Sequence, residues 1–89
     1  MRNLQINRKQ DRAREGSLIL IKPLRKDKVY GGKRANEYMV KYRLRLTRIS
    51  EVVMPDEQDP FRTYHIACDD NGIDTGWFWS RKMFWVIKK

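Results

Sequence analysis

The sequence is short of several things: it has one cysteine, Cys68, one histidine, His65, three prolines and five glycines among 89 residues. A single cysteine cannot close an intramolecular disulfide, which excludes the disulfide-stapled class of small secreted folds and fits a reducing cytoplasm. One histidine and one cysteine fall short of the four ligands of a structural zinc site. On a strand, residues three apart also point to opposite faces, so no metal is expected at this pair. No apolar run approaches the roughly 18 residues of a membrane helix, and Met1 to Lys9 lacks the apolar stretch of a secretory signal, so neither a membrane span nor export is expected. Neither a Ser-His-Asp constellation, nor a P-loop, nor a dinucleotide fingerprint can be read. The aspartates and glutamates of 51–59 and 69–74 sit where turns collect them for conformational reasons. The expectation is a non-catalytic protein without a cofactor.

Acidic residues are also scarce in the first half. Residues 1 to 48 hold 15 basic and 4 acidic side chains, a net +11. Residues 49 to 80 hold 1 and 7, and residues 81 to 89 hold 4 and 0, within a formal total of +9 and a sequence pI near 10.1. A chain segregated by sign in this way has polyanions as its leading class of partner.

What is plentiful is strand-forming material. Eighty-nine residues suit one domain, and three Trp, four Tyr and three Phe can fill a small all-β core. Residues 1–15 are polar and basic without a sustained apolar period and are expected to form a flexible arm. Residues 16–89 are expected to form the domain. Ser17 to Lys22 is an apolar, β-branched run closed by Pro23, a buried first strand. Leu24 to Asn36 carries Gly31-Gly32 and many charges and reads as a long, mobile basic loop. From Glu37 to Arg48, Tyr38, Val40, Tyr42, Leu44 and Leu46 alternate with Met39, Lys41, Arg43, Arg45 and Thr47. That parity predicts a half-buried strand with a ladder of cations outward, and a bulge or bend where Arg48 and Ile49 break phase. Pro55 to Pro60 is an acidic loop, since its prolines cannot lie inside a sheet. Phe61 to Cys68 resumes the alternation, Asp69-Asp70-Asn71-Gly72 is a hairpin turn, and Thr75–Trp79 and Met83–Ile87 supply the last two strands across a short turn at Ser80 to Lys82.

Five short strands, a long loop after the first, an Asp-Asn-Gly hairpin and a single turn before the last strand resemble the SH3-like barrel. The ending carries most of the likeness: Tyr64-His65-Ile66, Asp69-Asp70-Asn71-Gly72, Trp77 to Phe84, then Val86. Similar endings occur in small phage-encoded basic proteins and in KOW and Tudor-type modules. The resemblance implies an all-β, five-stranded SH3-like barrel behind a flexible basic arm, while the function lies with the surface.

Three cationic elements mark that surface. They are the arm (Arg2, Arg8, Lys9, Arg12 and Arg14), the loop (Arg25, Lys26, Lys28, Lys33 and Arg34) and the strand face (Lys41, Arg43 and Arg45 with Arg48). Together they can follow a phosphate backbone, gaining affinity by counterion release and little sequence preference. If Trp77 and Trp79 point inward, Phe78 points out; if Phe84 and Val86 are core, Trp85 is on the surface. Phe78 and Trp85 are thus candidates for stacking on bases or for contact with a protein. The expected function is nucleic-acid binding, duplex DNA ahead of RNA, by a cytoplasmic and then nucleoid-associated protein that is a monomer or weak dimer. The alternative is a phage-type module that grips a host enzyme and inhibits or redirects it through exposed aromatics and the acidic loop.

Overall fold

The computed structural model of the chain describes residues 5–6, 13–68 and 73–88. Its strands are β1 (Gln5–Ile6), β2 (Leu18–Ile21), β3 (Val29–Tyr30), β4 (Lys33–Arg34), β5 (Leu46–Val53), β6 (Thr63–Ile66), β7 (Trp79–Ser80) and β8 (Phe84–Lys88). One α-helical turn, α1 (Glu37–Val40), precedes β5, and a 3₁₀ turn, Arg81–Met83, joins β7 to β8. The protein is all-β, as its composition implies.

The main sheet is antiparallel in the order β1-β8-β2-β5-β6-β7, while β3 and β4 form a separate hairpin. The two end strands, β1 and β7, are not paired with each other, so the sheet is not a closed barrel. Directly opposite residues of antiparallel strands share a face. The pairs Ile19↔Thr47, Ile19↔Val86 and Ile21↔Phe84 therefore bring Ile19, Ile21, Thr47, Phe84 and Val86 to one side, and all are buried. Ile49, Tyr64, Ile66, Trp79 and Met83 complete that core. The Tyr64 and Phe84 rings meet edge to face at 5.2 Å, an arrangement the ring quadrupoles favour. The register of β5 on β6 shifts between Ile49 and Glu51, a bulge just past the Arg48–Ile49 phase break.

The last two strands follow the expected parity. Trp79, Phe84 and Val86 are buried, while Phe78 is exposed and Trp85 half-buried. Trp77 is half-buried, not core. The regular part of the fourth strand is confined to Trp79–Ser80, with a lone bridge between Ala67 and Asp74 before it. The Asp69 to Gly72 hairpin turn lies outside the described residues.

Three further expectations need correction. The first concerns the strand over Glu37 to Arg48, whose first half does not form. Asn36 caps a helical turn instead, its Oδ1 accepting the N–H groups of Tyr38 and Met39 at 2.9 Å each. Met39, assigned to the solvent face by parity, is buried in the core. Residues 41 to 44 are turns, closed by i→i+3 bonds such as Tyr42 N–H to Met39 O (3.1 Å). Leu44 adopts a left-handed φ of +58°, and β5 begins only at Leu46. Two backbone bonds tie this kink to β2: Leu44 N–H to Ile21 O (2.7 Å) and Ile21 N–H to Arg45 O (3.0 Å). Lys41, Arg43 and Arg45 consequently form no ladder on a strand.

The second correction concerns Leu24 to Asn36, which is not an irregular loop. It holds the β3–β4 hairpin, with the Ser80 hydroxyl donating to Tyr30 O, and Gly32 seated under the Phe61 ring. A Cβ on Gly32 would stand 2.5 Å from that ring, and its φ of +86° is one that favours glycine. The third is the domain boundary: Ala13 belongs to the core and Gln5–Ile6 pairs with β8, so the fold reaches back before residue 16.

Candidate functional site

The cations fall into two groups according to what holds them. The first runs beside the carboxyl end of β6. Arg48 donates its guanidinium to Gly16 O (2.9 Å), two residues from Arg14, and its own carbonyl accepts the Ala67 N–H (3.0 Å). The next carbonyl, Cys68 O, accepts the Arg45 guanidinium at 2.8 Å. Arg45 also lies over the Tyr42 ring at 5.2 Å, and Lys41 Nζ over the Tyr38 ring at 5.3 Å. Arg14, Arg48, Arg45 and Lys41 therefore follow one another along linked backbone, all exposed. Among the described residues none of the four is in an ion pair. The anchors of Arg48, Arg45 and Lys41 are carbonyl oxygens and aromatic faces, which orient a cation without cancelling its charge.

The second group belongs to the hairpin. Lys33 Nζ is bound to Asp59 Oδ2 at 2.6 Å, and Arg34 donates to Asp27 O at 3.1 Å. The Asp59 carboxyl is held below its ordinary value first by the Lys33 hydrogen bond and then by the Phe61 N–H. The clasp joins the basic segment to the acidic Pro55–Pro60 loop, so the segregation of sign along the chain is partly undone in space. Lys33 is not an open cation. Arg25, Lys26 and Lys28 remain exposed at the foot of the hairpin, Lys28 resting 5.3 Å over Tyr30. Arg43 is exposed on the turn after α1. Arg12, with Arg2, Arg8 and Lys9, lies outside the described residues.

The exposed aromatics expected from parity are in different surroundings. The Phe78 ring lies on His65 at 4.8 Å with Lys33 Nζ 6.0 Å over it. His65 Nδ1 is 3.3 Å from Asp74 Oδ2. Trp85 lies opposite Leu20, itself opposite Leu46, and Lys22 Nζ is 5.5 Å over its ring. The outer face of β8-β2-β5 thus groups Leu18, Leu20, Leu46 and Trp85, with Arg48 opposite Leu18 at one end, and is mostly apolar where a solvated sheet would alternate to polar.

Between α1, the following turn and the end of β6 lies an open cleft of about 400 Å³, lined by Tyr38, Lys41, Tyr42, Arg45 and Cys68. The Tyr38 ring, 51% exposed, is stacked on Trp77 with centroids 5.8 Å apart and planes 13° apart. Tyr42 meets Trp79 edge-on at 6.1 Å, which roots the cleft in the core. No match is found to a protein-family model, a curated protein or a solved structure.

Tyr38, Tyr42 and Trp77 are the site residues that parity assigned to the interior. The signal for the true arrangement is in the sequence: Asn36-Glu37 is a helix start, an N-cap followed by an acid in the first turn. Tyr38 and Tyr42 are four apart, neighbours on a helical surface as well as alternates on a strand. Among the described residues no three metal-ligating side chains come together, and no helix is long and apolar enough to cross a membrane.

Proposed function

We propose that this protein is a nucleic-acid-binding module that holds the phosphate backbone through Arg14, Arg48, Arg45 and Lys41, assisted by Arg43 and by Arg25, Lys26 and Lys28 of the hairpin, and that it has no chemistry of its own. The observation that carries the reading is the tract of Arg48, Arg45 and Lys41, oriented by carbonyls and tyrosine rings, with exposed Arg14 beside it, none of the four having an ion-pair partner among the described residues. Aligned charges of this kind release counterions from a polyanion and give salt-sensitive binding with little sequence preference. The strand order β8-β2-β5-β6-β7, with a hairpin between β2 and β5 and a 3₁₀ turn before β8, supports reading the domain as an SH3-like module opened on one side. Such modules present function on their surface.

The test is a gel-shift series over duplex DNA, single-stranded DNA and RNA at two salt concentrations. Wild type should bind and weaken steeply with salt, and reversal of Lys41, Arg43 and Arg45 to Glu should abolish the complex. Unchanged affinity in that triple variant would end the proposal.

A second reading, a module that grips another protein, rests on the apolar outer face of Leu18, Leu20, Leu46 and Trp85. Under it, a partner captured through Trp85 is retained in high salt and after nuclease treatment, and is lost in Leu46→Glu with the fold intact.

A further inference from the structure

The cleft beside α1 brings together aromatic faces open to solvent and two cations, with no carboxylate among its described lining residues. We infer that it is the seat of an unpaired nucleobase, so that the ligand is single-stranded nucleic acid. This rests on the nucleic-acid reading above and narrows it from any phosphate backbone to a strand whose bases are free to leave the stack.

The left-handed Leu44 and the two backbone bonds that Leu44 and Arg45 make with Ile21 reverse the chain so that Tyr42 and Arg45 return over the end of β6 instead of running on as a strand. Arg45 is fixed there by Cys68 O, and Tyr42 by the edge of Trp79. Tyr38 is held parallel to Trp77, a two-ring platform with half of the tyrosine exposed. At about 400 Å³ the opening is within the roughly 300–1,000 Å³ of small-molecule clefts.

In the free protein Lys41 and Arg45 lie over the tyrosine rings at 5.3 and 5.2 Å, contacts that are weak where solvent reaches them. A nucleotide offers each partner a better counterpart. Its phosphate takes the ammonium and the guanidinium, and its base takes the vacated ring face. A duplex can use the cations but not the rings, since its bases are stacked on one another. The two halves of the cleft therefore separate single strands from duplexes.

The experiment is fluorescence anisotropy with the full chain and a labelled oligonucleotide offered as single-stranded DNA, as single-stranded RNA of the same sequence and as the DNA duplex. Thermal melting of each variant serves as the folding control. Wild type should prefer the single strands, DNA or RNA, over the duplex. Tyr38→Ala, at a half-exposed position, should lose about tenfold or more on single strands, the scale of one base stack. The loss should leave little change on the duplex, and Tyr38→Phe should restore single-strand binding because the ring and not the hydroxyl is used. Lys41→Gln and Arg45→Gln should weaken every complex. If duplex and single strands bind alike and Tyr38→Ala affects neither, the base seat is wrong while phosphate binding stands. If no nucleic acid binds at low salt, both fall. If polyglutamate binds as tightly as the single strands and with the same dependence on Tyr38, the cleft is a seat for an acidic chain and the inference is overturned.

Discussion

The turn after α1 and the β3–β4 hairpin are both basic in sequence and differ in what holds their lysines. On the turn, Lys41 and Arg45 lie against tyrosine rings and a carbonyl and keep their charge available. On the hairpin, Lys33 is neutralised by Asp59, whereas Arg34, bound only to the Asp27 backbone carbonyl, keeps its charge. The lesson is that a count of lysines and arginines measures attraction to a polyanion only after the internally paired ones are removed. The first region is a surface that can hold a ligand, and the second is a clasp that fastens a hairpin to the sheet.

The largest expected effect attacks that contrast directly. Reversing Lys41 and Arg45 together to Glu should reduce nucleic-acid affinity by about 100-fold at low salt and lower the slope of log affinity against log salt by about 1.5, the value for two lost phosphate contacts. Lys33→Met should leave that slope unchanged. Equal slopes for the two variants, measured by salt titration, would erase the distinction between the regions.

Gly32→Ala should strike the clasp and spare the turn. With Phe61 2.5 Å from the new Cβ and a left-handed backbone, denaturant unfolding should report a loss of about 2 kcal/mol. Affinity in the folded variant should be retained. A smaller gain is expected from Leu44→Gly, because its φ of +58° strains a residue whose 54% exposed side chain contributes little burial. Stability should rise by about 0.5 kcal/mol, the relief of strain being partly offset by the entropy of glycine.

The smallest effect is a pH dependence. The Asp59 carboxyl is depressed in the folded protein, first by Lys33 and then by the Phe61 N–H. The clasp therefore contributes fully above the ordinary aspartate value and fades as pH falls through the depressed one. Urea midpoints should drop less on acidification in Asp59→Asn than in wild type. Identical acid limbs would show that the pair does not fasten the hairpin.

Much of this was legible in the sequence, for reasons specific to each segment. The first strand followed from an uninterrupted apolar run, although only its Ile19 and Ile21 face is buried, with Leu18 and Leu20 partly exposed. The inward Trp79 and Phe84 and the outward Phe78 followed from parity, because a strand with one face on a core has only two ways to point. The bulge after Arg48 followed from the break in phase. At the site the same rule misled: Tyr38 and Tyr42 satisfy a period of two and an i, i+4 spacing alike, so alternation alone could not distinguish a strand from a helical turn. Asn36 offered a cap, which was the local clue.

The excess of positive charge, the all-β composition and the core face of the carboxy-terminal strands were determined by the sequence itself, since each depends on neighbours along the chain. The reversal at Leu44, the Lys33–Asp59 clasp and the cleft that joins Tyr38 to Arg45 and Cys68 were decided by tertiary structure. Their partners are 23 to 26 residues apart for the bonds of Leu44 to Ile21, Arg45 to Cys68 and Lys33 to Asp59. Only folding makes such distant groups neighbours, and it is there that a basic segment becomes either a fastening or a binding surface.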